Sequence, residues 1–430
     1  MDHARRHLDQ RRALGLQRGA DGGGECAGNT RHRRQAIGDQ AGFNAPAAYT
    51  VAIGYLAGNS TQGAQAIAIG MNSGKNTQGI NAVAIGNSAG STAQGAQAVA
   101  IGMNAGQNTQ AGSAVAIGNS AGQNTQGSAS VAIGYQAGQN TQAQEAIAIG
   151  NTAGQVQQGL RAVAIGLQAG FNTQGEQAIA IGTIAGQYSQ TSGAVAIGYQ
   201  AGNTGQGKDS VAIGIQAGYT GQSKWAVAIG WWAGQAAQGW NTVAIGQSAG
   251  YSSQVSGAVA IGYQAGSTSQ RGNAVAIGTS AGEDFQGTGA VAIGNNAGLI
   301  TQGGNAVAIG YQAGQLTQGD NAVAIGNAAG NGTQGAGAVA IGSNAGSTQQ
   351  GSQAVAFGAG AGSYQQGSGS IAIGNLAGYT GQAPNALAMG VNAGYAGQGS
   401  YSIAIGYQSG FTGQGRTTVA VGPNAGYAGQ

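Results

Sequence analysis

The chain has 430 residues, of which 88 are glycine, 14 are basic and 11 are acidic, giving a formal net charge of +3. A single cysteine excludes a disulfide framework, and three prolines exclude a collagen helix. No apolar run is long enough for a transmembrane helix.

Residues 1–34 form a basic segment that differs in composition from the rest of the chain. They hold eight of the arginines, all three histidines and the cysteine, Cys26. The segment lacks the apolar stretch of a secretory signal. We therefore predict a disordered N-terminal tail, with electrostatic binding of nucleic acid or anionic lipid as the alternative.

Residues 35–430 form a single repeat array with a constant period. The unit A-[VI]-A-I-G-x-x-A-G-x-x-x-Q-G-x-x, sixteen positions in length, runs without insertion or deletion. Its first glycine recurs from Gly38 to Gly422 and its second from Gly42 to Gly426, while a glutamine recurs from Gln62 to Gln430. A fixed period means that each unit occupies the same length in space.

The repeat unit predicts one coil of a parallel β-solenoid, and the array predicts about 24–25 such coils. Val83 and Ile85 alternate with Ala82 and Ala84, which is the period-two pattern of a strand. A glycine every four or five positions disfavours helix, and the unit is too short for two packed helices and a turn. The predicted fold class is therefore all-β.

The strand has two apolar sides, and we expect valine and isoleucine to point into the coil because each then buries more apolar surface. The alanines would form a smooth outward stripe, which suits packing of several chains, most simply three. The inverse assignment, with alanine inside and the branched residues between chains, remains open.

One glutamine in every coil predicts a structural ladder, in which side-chain amides bond to those of neighbouring coils. The alternative is a polar array that binds sugar or ice. The ladder begins with Gln62, Gln78, Gln94, Gln110 and Gln126.

All four tryptophans lie between positions 225 and 240, at variable positions of successive coils. With a lysine one period before the last of them, they form a candidate surface patch for carbohydrate or a partner protein. The alternative is a contact between chains. The patch consists of Lys224, Trp225, Trp231, Trp232 and Trp240.

Catalytic and metal sites need convergent polar groups, and the array offers none at its period. All histidines lie in the tail, and the acidic residues of the array are scattered. We expect no enzymatic activity, no cofactor, no metal and no nucleic-acid binding by the array.

The AVAIGxxA run resembles the head repeats of trimeric autotransporter adhesins, the YadA-like heads, as at Ser130–Gly134 and Ser210–Gly214. The resemblance covers nearly everything from Ala36 onward, although the family's repeats are usually shorter. It implies a left-handed, trimeric β-roll, displayed on a cell surface for attachment. AIGYQAG stretches, as at 260–266, are also similar to repeats of phage and large-virus fibres.

We therefore expect a structural or adhesive fibre shaft or head outside a cell or on a virion. Its partners would be copies of itself, most simply in a trimer, and a host surface protein or carbohydrate. The alternatives are an ice-binding β-solenoid and a self-assembling matrix or amyloid-like filament. A regular threonine ladder for ice is missing, because Gly205, Phe285 and Gln349 replace Thr109 in other coils.

Overall fold

The computed structural model describes residues 34–44 and 46–429. The predicted tail, residues 1–34, lies outside the described residues except for Arg34. The chain divides into two units, Met1–Asp209 and Ser210–Gln430.

Each coil begins with a three-residue strand centred on an alanine, which pairs in parallel with the same strand of the next coil. Val83, Ala84 and Ile85 pair with Val99, Ala100 and Ile101. In the first unit these strands are Gln35–Ile37, Val51–Ile53, Ile67–Ile69, Val83–Ile85, Val99–Ile101, Val115–Ile117, Val131–Ile133, Ile147–Ile149, Val163–Ile165, Ile179–Ile181 and Val195–Ile197.

The same strand recurs through the second unit in the same register. Its members there are Val211–Ile213, Val227–Ile229, Val243–Ile245, Val259–Ile261, Val275–Ile277, Val291–Ile293, Val307–Ile309, Val323–Ile325, Val339–Ile341, Val355–Phe357, Ile371–Ile373, Leu387–Met389, Ile403–Ile405 and Val419–Val421. The prediction of an all-β, parallel β-solenoid with one coil per sequence repeat is thus confirmed.

A second strand, of two or three residues, ends in the recurrent glutamine of most coils, and we call it the glutamine strand. In the first unit the glutamine strands are Thr61–Gln62, Thr77–Gln78, Ala93–Gln94, Thr109–Gln110, Thr125–Gln126, Thr141–Gln142, Gln157–Gln158, Asn172–Gln174 and Tyr188–Gln190. In the second unit they are Thr220–Gln222, Ala236–Gln238, Ser252–Gln254, Phe285–Gln286, Thr301–Gln302, Thr317–Gln318, Thr333–Gln334 and Gln349–Gln350.

The interior assignment predicted for the first strand is wrong. In the coil of residues 82–97, Ala82, Ala84 and Ala89 are fully buried, whereas Val83 and Ile85 are only half-buried. The same alternation holds in nearly every described coil. Alanine therefore fills the coil, and the branched side chains form an outward strip that we call the aliphatic face.

Two glycines shape the turn after the first strand because no side chain fits at either place. Gly86 has φ 125°, and a Cβ there would lie 2.5 Å from the carbonyl oxygen of Gly102 in the next coil. Gly90 has φ 52°, and its Cβ would lie 2.8 Å from Cδ of Gln94. The first glycine thus permits close stacking of coils, and the second makes room for the glutamine.

Candidate functional site

The recurrent glutamine lies inside the coil and reaches across it to the first strand. Nε2 of Gln94 donates hydrogen bonds to the carbonyl oxygens of Val83 at 2.7 Å and Ala98 at 3.3 Å. It also donates to Oε1 of Gln110 in the next coil, at 3.2 Å. The side chain therefore ties together the two strands of one coil and two neighbouring coils.

The five glutamines that begin the candidate ladder are each no more than 2% exposed: Gln62, Gln78, Gln94, Gln110 and Gln126. Each donates to the carbonyl oxygen of the residue 11 positions earlier, at 2.6–2.8 Å. Bonds between amides are less regular in these coils, because Oε1 of Gln62, Gln78, Gln94 and Gln126 has no hydrogen-bond partner. The hydrogen bond from Nε2 to the backbone carbonyl is the one that all five glutamines share.

Bonds between the amides are continuous in the later coils of the first unit and in the earlier coils of the second. In the first unit they run from Gln126 to Gln206, one coil at a time, at 3.0–3.2 Å. In the second unit they run from Gln222 to Gln350, at 2.9–3.1 Å. Burial of these groups removes them from any direct contact with a ligand.

The residue before the buried glutamine points outward, and in part of the first unit it forms a short threonine row. Thr109, Thr125 and Thr141 are exposed and pair in register. Asn108, Asn124 and Asn140, one residue earlier, form a side-chain ladder with bonds of 2.8 Å. Ala93 and Gln157 interrupt the threonine row on either side, so the regular surface is short.

Three of the four tryptophans of the candidate patch are about half exposed: Trp225 at 51%, Trp231 at 47% and Trp240 at 58%. Trp232 is less exposed, because its ring lies 4.8 Å from that of Trp231 and 6.3 Å from that of Tyr251. Its Nε1 also donates to Oε1 of Gln216. Trp232 therefore supports the indole of Trp231 from the side.

Lys224 of the same patch is exposed. The cation–π contact that the described residues form lies elsewhere, where the guanidinium of Arg271 sits 4.8 Å from the ring centre of Phe285. The sequence interpretation singled out the lysine because it lies one period before Trp240. Arg271 carried no such signal, because Phe285 is not one period from it.

An aromatic column near the end of the second unit is a feature that the sequence interpretation missed. Four rings from successive coils stack with centres 4.9–5.1 Å apart and planes within 17° of parallel. The rings belong to Tyr379, Tyr395, Phe411 and Tyr427. The signal was present as an aromatic residue three positions before each of four successive glutamines. Because the faces of the inner rings contact each other, they are closed to a stacking ligand.

Charged groups on the described surface are few. Nε of Arg161 donates to Oε2 of Glu145 at 2.8 Å, and this bond with the arginine, aided by one from Gln144, lowers the pKa of Glu145. A hydrogen bond with Tyr364 raises the pKa of the Tyr379 phenol. Within residues 34–44 and 46–429, no three His, Cys, Asp or Glu side chains gather closely enough to hold a metal ion.

The described part of the chain also contains no helix of the length and hydrophobicity that crossing a bilayer requires.

Comparison with known proteins found one family. Residues 78–105 match the model of the YadA head domain repeat, in two copies. Neither a curated protein nor a solved structure matches the chain. The matched stretch includes two first strands, Val83–Ile85 and Val99–Ile101, and the glutamine strand between them. The repeats of this chain are therefore similar to the YadA head domain repeat in their sequence signature.

Proposed function

We propose that this chain is a structural and adhesive fibre protein, assembled as a homotrimer and displayed outside a cell or on a virion, with no catalytic role. The similarity to YadA head repeats supports an adhesive or structural role. The observation that carries the proposal is the aliphatic face, which leaves branched apolar side chains partly in water on coil after coil.

The aliphatic face exposes more contiguous apolar surface than is usual for a monomeric protein. Ile277, Ile293 and Ile309, in three successive coils, are 36–37% exposed. Phe357 reaches 52% and Met389 reaches 40% at the equivalent position of later coils. A long contiguous apolar strip of this kind is unusual on a monomer and is typical of a contact surface.

The occupant that fits this face best is another copy of the same chain. The face repeats at the coil spacing, roughly 4.8 Å, and an identical copy repeats at the same spacing. Each coil of one chain can then meet a coil of the next in an equivalent way. A partner without this period would match only a few coils.

The tryptophan patch supports the adhesive part of the proposal. Trp225, Trp231 and Trp240 present three indoles to solvent within two coils, and large exposed aromatic rings are enriched where proteins bind partners. The buried glutamines have the structural role in this proposal, because they hold successive coils in register.

Sedimentation of the purified chain tests the assembly. We expect a mass three times that of one chain. Lysine at two successive positions of the face, Ile277→Lys with Ile293→Lys, should produce monomers, because the contact would have to bury unpaired charges. The matched control is Thr317→Lys with Thr333→Lys, at exposed positions of two glutamine strands, and it should stay trimeric. A monomeric wild-type chain, or dissociation of both variants alike, would contradict the proposal.

An ice-binding role is the second candidate, and the short threonine rows favour it. Thr109, Thr125 and Thr141 are exposed in register, as are Thr301, Thr317 and Thr333 in the second unit. Thermal hysteresis of the purified protein would support this role. If no thermal hysteresis is found, the ice-binding role is excluded, and the threonine rows are ordinary cross-strand pairs.

A further inference from the structure

A shallow groove of about 600 Å³ opens on the second unit, beside four successive coils. Its floor is mostly glycine, so that the backbone itself forms the surface. The floor residues are Gly287, Gly303, Gly304 and Gly319. A Cβ at Gly287 or Gly303 would lie 2.5 Å from backbone of the next coil. Glycine at these positions therefore permits the close stacking of coils along the groove.

One end of the groove carries an aromatic ring and a positive charge. Phe285 is 37% exposed, and Arg271 lies over its ring at 4.8 Å. The ring contact holds the guanidinium at this end of the groove. Arg271 forms no ion pair with any carboxylate of the described residues, so its charge is available to an anionic ligand.

The other end of the groove carries a fixed carboxylate. Oδ1 of Asp320 accepts a hydrogen bond from the backbone N–H of Gly304 at 2.7 Å. Asp320 lies three coils beyond Arg271, a separation of roughly 14 Å at the usual strand spacing. The two charges are thus too far apart to neutralise each other and stand at opposite ends of one surface.

Neutral polar side chains also line the groove, between its charged ends and beside Asp320. Thr288, Asn305 and Asn321 line it and are exposed. Their hydroxyl and amide groups make no side-chain hydrogen bond to other described residues, whereas the backbone N–H of Asn305 already bonds to the carbonyl of Thr288. A ligand would therefore be recognised by side chains and would pack against a floor of satisfied backbone.

We propose that this groove binds an acidic oligosaccharide in which carboxylated and neutral sugars alternate. A sugar carboxylate pairs with Arg271, the C–H face of the same sugar packs on Phe285, and amides and hydroxyls of the middle section bond to sugar hydroxyls. Asp320 repels a second sugar carboxylate, so the sugar at that end is neutral. Its carboxylate accepts a hydrogen bond from a hydroxyl or an acetamido N–H of that sugar. The length of the groove suits a short oligosaccharide rather than a single sugar.

This inference rests on the adhesive part of the proposed function and gives it a ligand class. It does not depend on the tryptophan patch, which lies at other coils. The trimer is tested by sedimentation and the groove by sugar binding, so the two can fail separately.

Calorimetric titration of the full chain with two probes tests the groove. The acidic probe is a hyaluronan tetrasaccharide, which alternates glucuronate with N-acetylglucosamine, and the neutral probe is a chitin tetrasaccharide. We expect binding of the acidic probe, at least about tenfold weaker binding of the neutral one, and weakening of the acidic complex as NaCl rises.

Variants locate the binding within the groove. Arg271→Ala and Phe285→Ser should each weaken binding of the acidic probe by about tenfold or more. Arg416→Ala, which removes another exposed arginine of the same unit, should bind as the wild type does. Melting curves and sedimentation show whether each variant keeps its fold and assembly.

Three outcomes would overturn the inference. They are absence of binding by a correctly assembled wild-type chain, equal binding of the neutral probe, and undiminished binding by a folded Arg271→Ala variant.

Discussion

Glutamine takes the place in this interior that a large aliphatic residue takes in most protein cores. The largest fully buried side chains of the described residues include a dozen glutamines, whereas the buried hydrophobic residues are all alanine. A buried amide is stable only if its polar atoms find partners. Here the N–H groups bond to the carbonyl of the first strand and, in most coils, to the next amide. Each coil can therefore use a polar side chain as its central packing unit.

Removal of one amide should break these bonds without removing much volume. Nε2 of Gln286 donates to the carbonyl of Val275 at 2.7 Å and to Gln302 at 3.1 Å, and its Oε1 accepts from Gln270 at 2.9 Å. We expect Gln286→Leu to lower the stability of the surrounding coils by about 3 kcal/mol, because it leaves buried polar atoms unpaired. Hydrogen exchange measured by mass spectrometry would show this as faster exchange around residue 286.

The control for that variant is Thr301→Val, at an exposed residue of the next glutamine strand. A surface change of this kind should alter stability by less than about 0.5 kcal/mol. Equal exchange in the two variants would contradict a structural role for the ladder.

The first strand is buried on its alanine side because the coil is narrow. Gln94 spans the space from its own strand to the carbonyl of Val83 with a single side chain, which leaves room only for small residues beside it, and the strand centre is alanine in every coil. In the second unit, the Cβ that a side chain would add at Gly298 lies only 3.3 Å from Cβ of Ala292. Valine or isoleucine on that side would collide with the turn and with the glutamine.

Replacement of an interior alanine by a larger residue should therefore lower the stability of the fold more than the same replacement at a surface alanine. We expect Ala292→Leu, at a fully buried alanine, to destabilise the fold by about 3 kcal/mol through overpacking. Ala336→Leu, at an exposed alanine of a turn in the same unit, should have an effect below about 0.5 kcal/mol. Denaturant melts of both variants measure the difference, and similar melts would put the interior assignment in doubt.

In the last coils of the second unit, the first strand stays paired, but the glutamine strand is weaker and aromatic rings stack beside it. Glycine precedes the glutamine at Gly381, Gly397 and Gly413, and the glutamine strand there is reduced to isolated bridges, such as Thr380 with Ala396. Glycine weakens a strand because it offers no side chain to pack. The column from Tyr379 to Tyr427 lies in these coils, and each offset pair of rings contributes about 0.5–1.5 kcal/mol beyond its burial. The column therefore offsets part of the lost pairing.

At the scale of the whole molecule, the same contact between neighbouring coils is repeated many times along the chain. Each coil contacts mainly its neighbours, and the surfaces that it presents recur at the coil spacing. The aliphatic face and the threonine rows are both consequences of this register. The groove between Arg271 and Asp320 and the tryptophan patch arise where individual coils depart from the repeat.

The proposed assembly should resist salt. The aliphatic face carries valine, isoleucine and, in places, leucine, methionine or phenylalanine, but no charge. Because screening weakens contacts between charges and leaves apolar contacts intact, we expect the sedimenting mass to stay trimeric in NaCl up to about 1 M. Dissociation into single chains as salt rises would mean that charged groups hold the trimer together.

Much of the fold was predictable because its pattern is local and repeats without slippage. The spacing of Gly86, Gly90 and Gln94 indicated the length of one coil, and the alternation around Ala84 indicated a strand. The aromatic column and the groove were not predicted. Both depend on which side chains become neighbours across successive coils, at positions that differ within the repeat.

The sequence by itself determined the period, the parallel register and the fact that Ala84 and Val83 point to opposite sides of the strand. Only the tertiary structure decided which of the two sides is inside. Both sides are apolar, and hydrophobicity alone favours the wrong one, because valine and isoleucine bury more apolar surface than alanine does. The choice depends on the width of the closed coil, which the glutamine spans from strand to strand, leaving space only for small side chains.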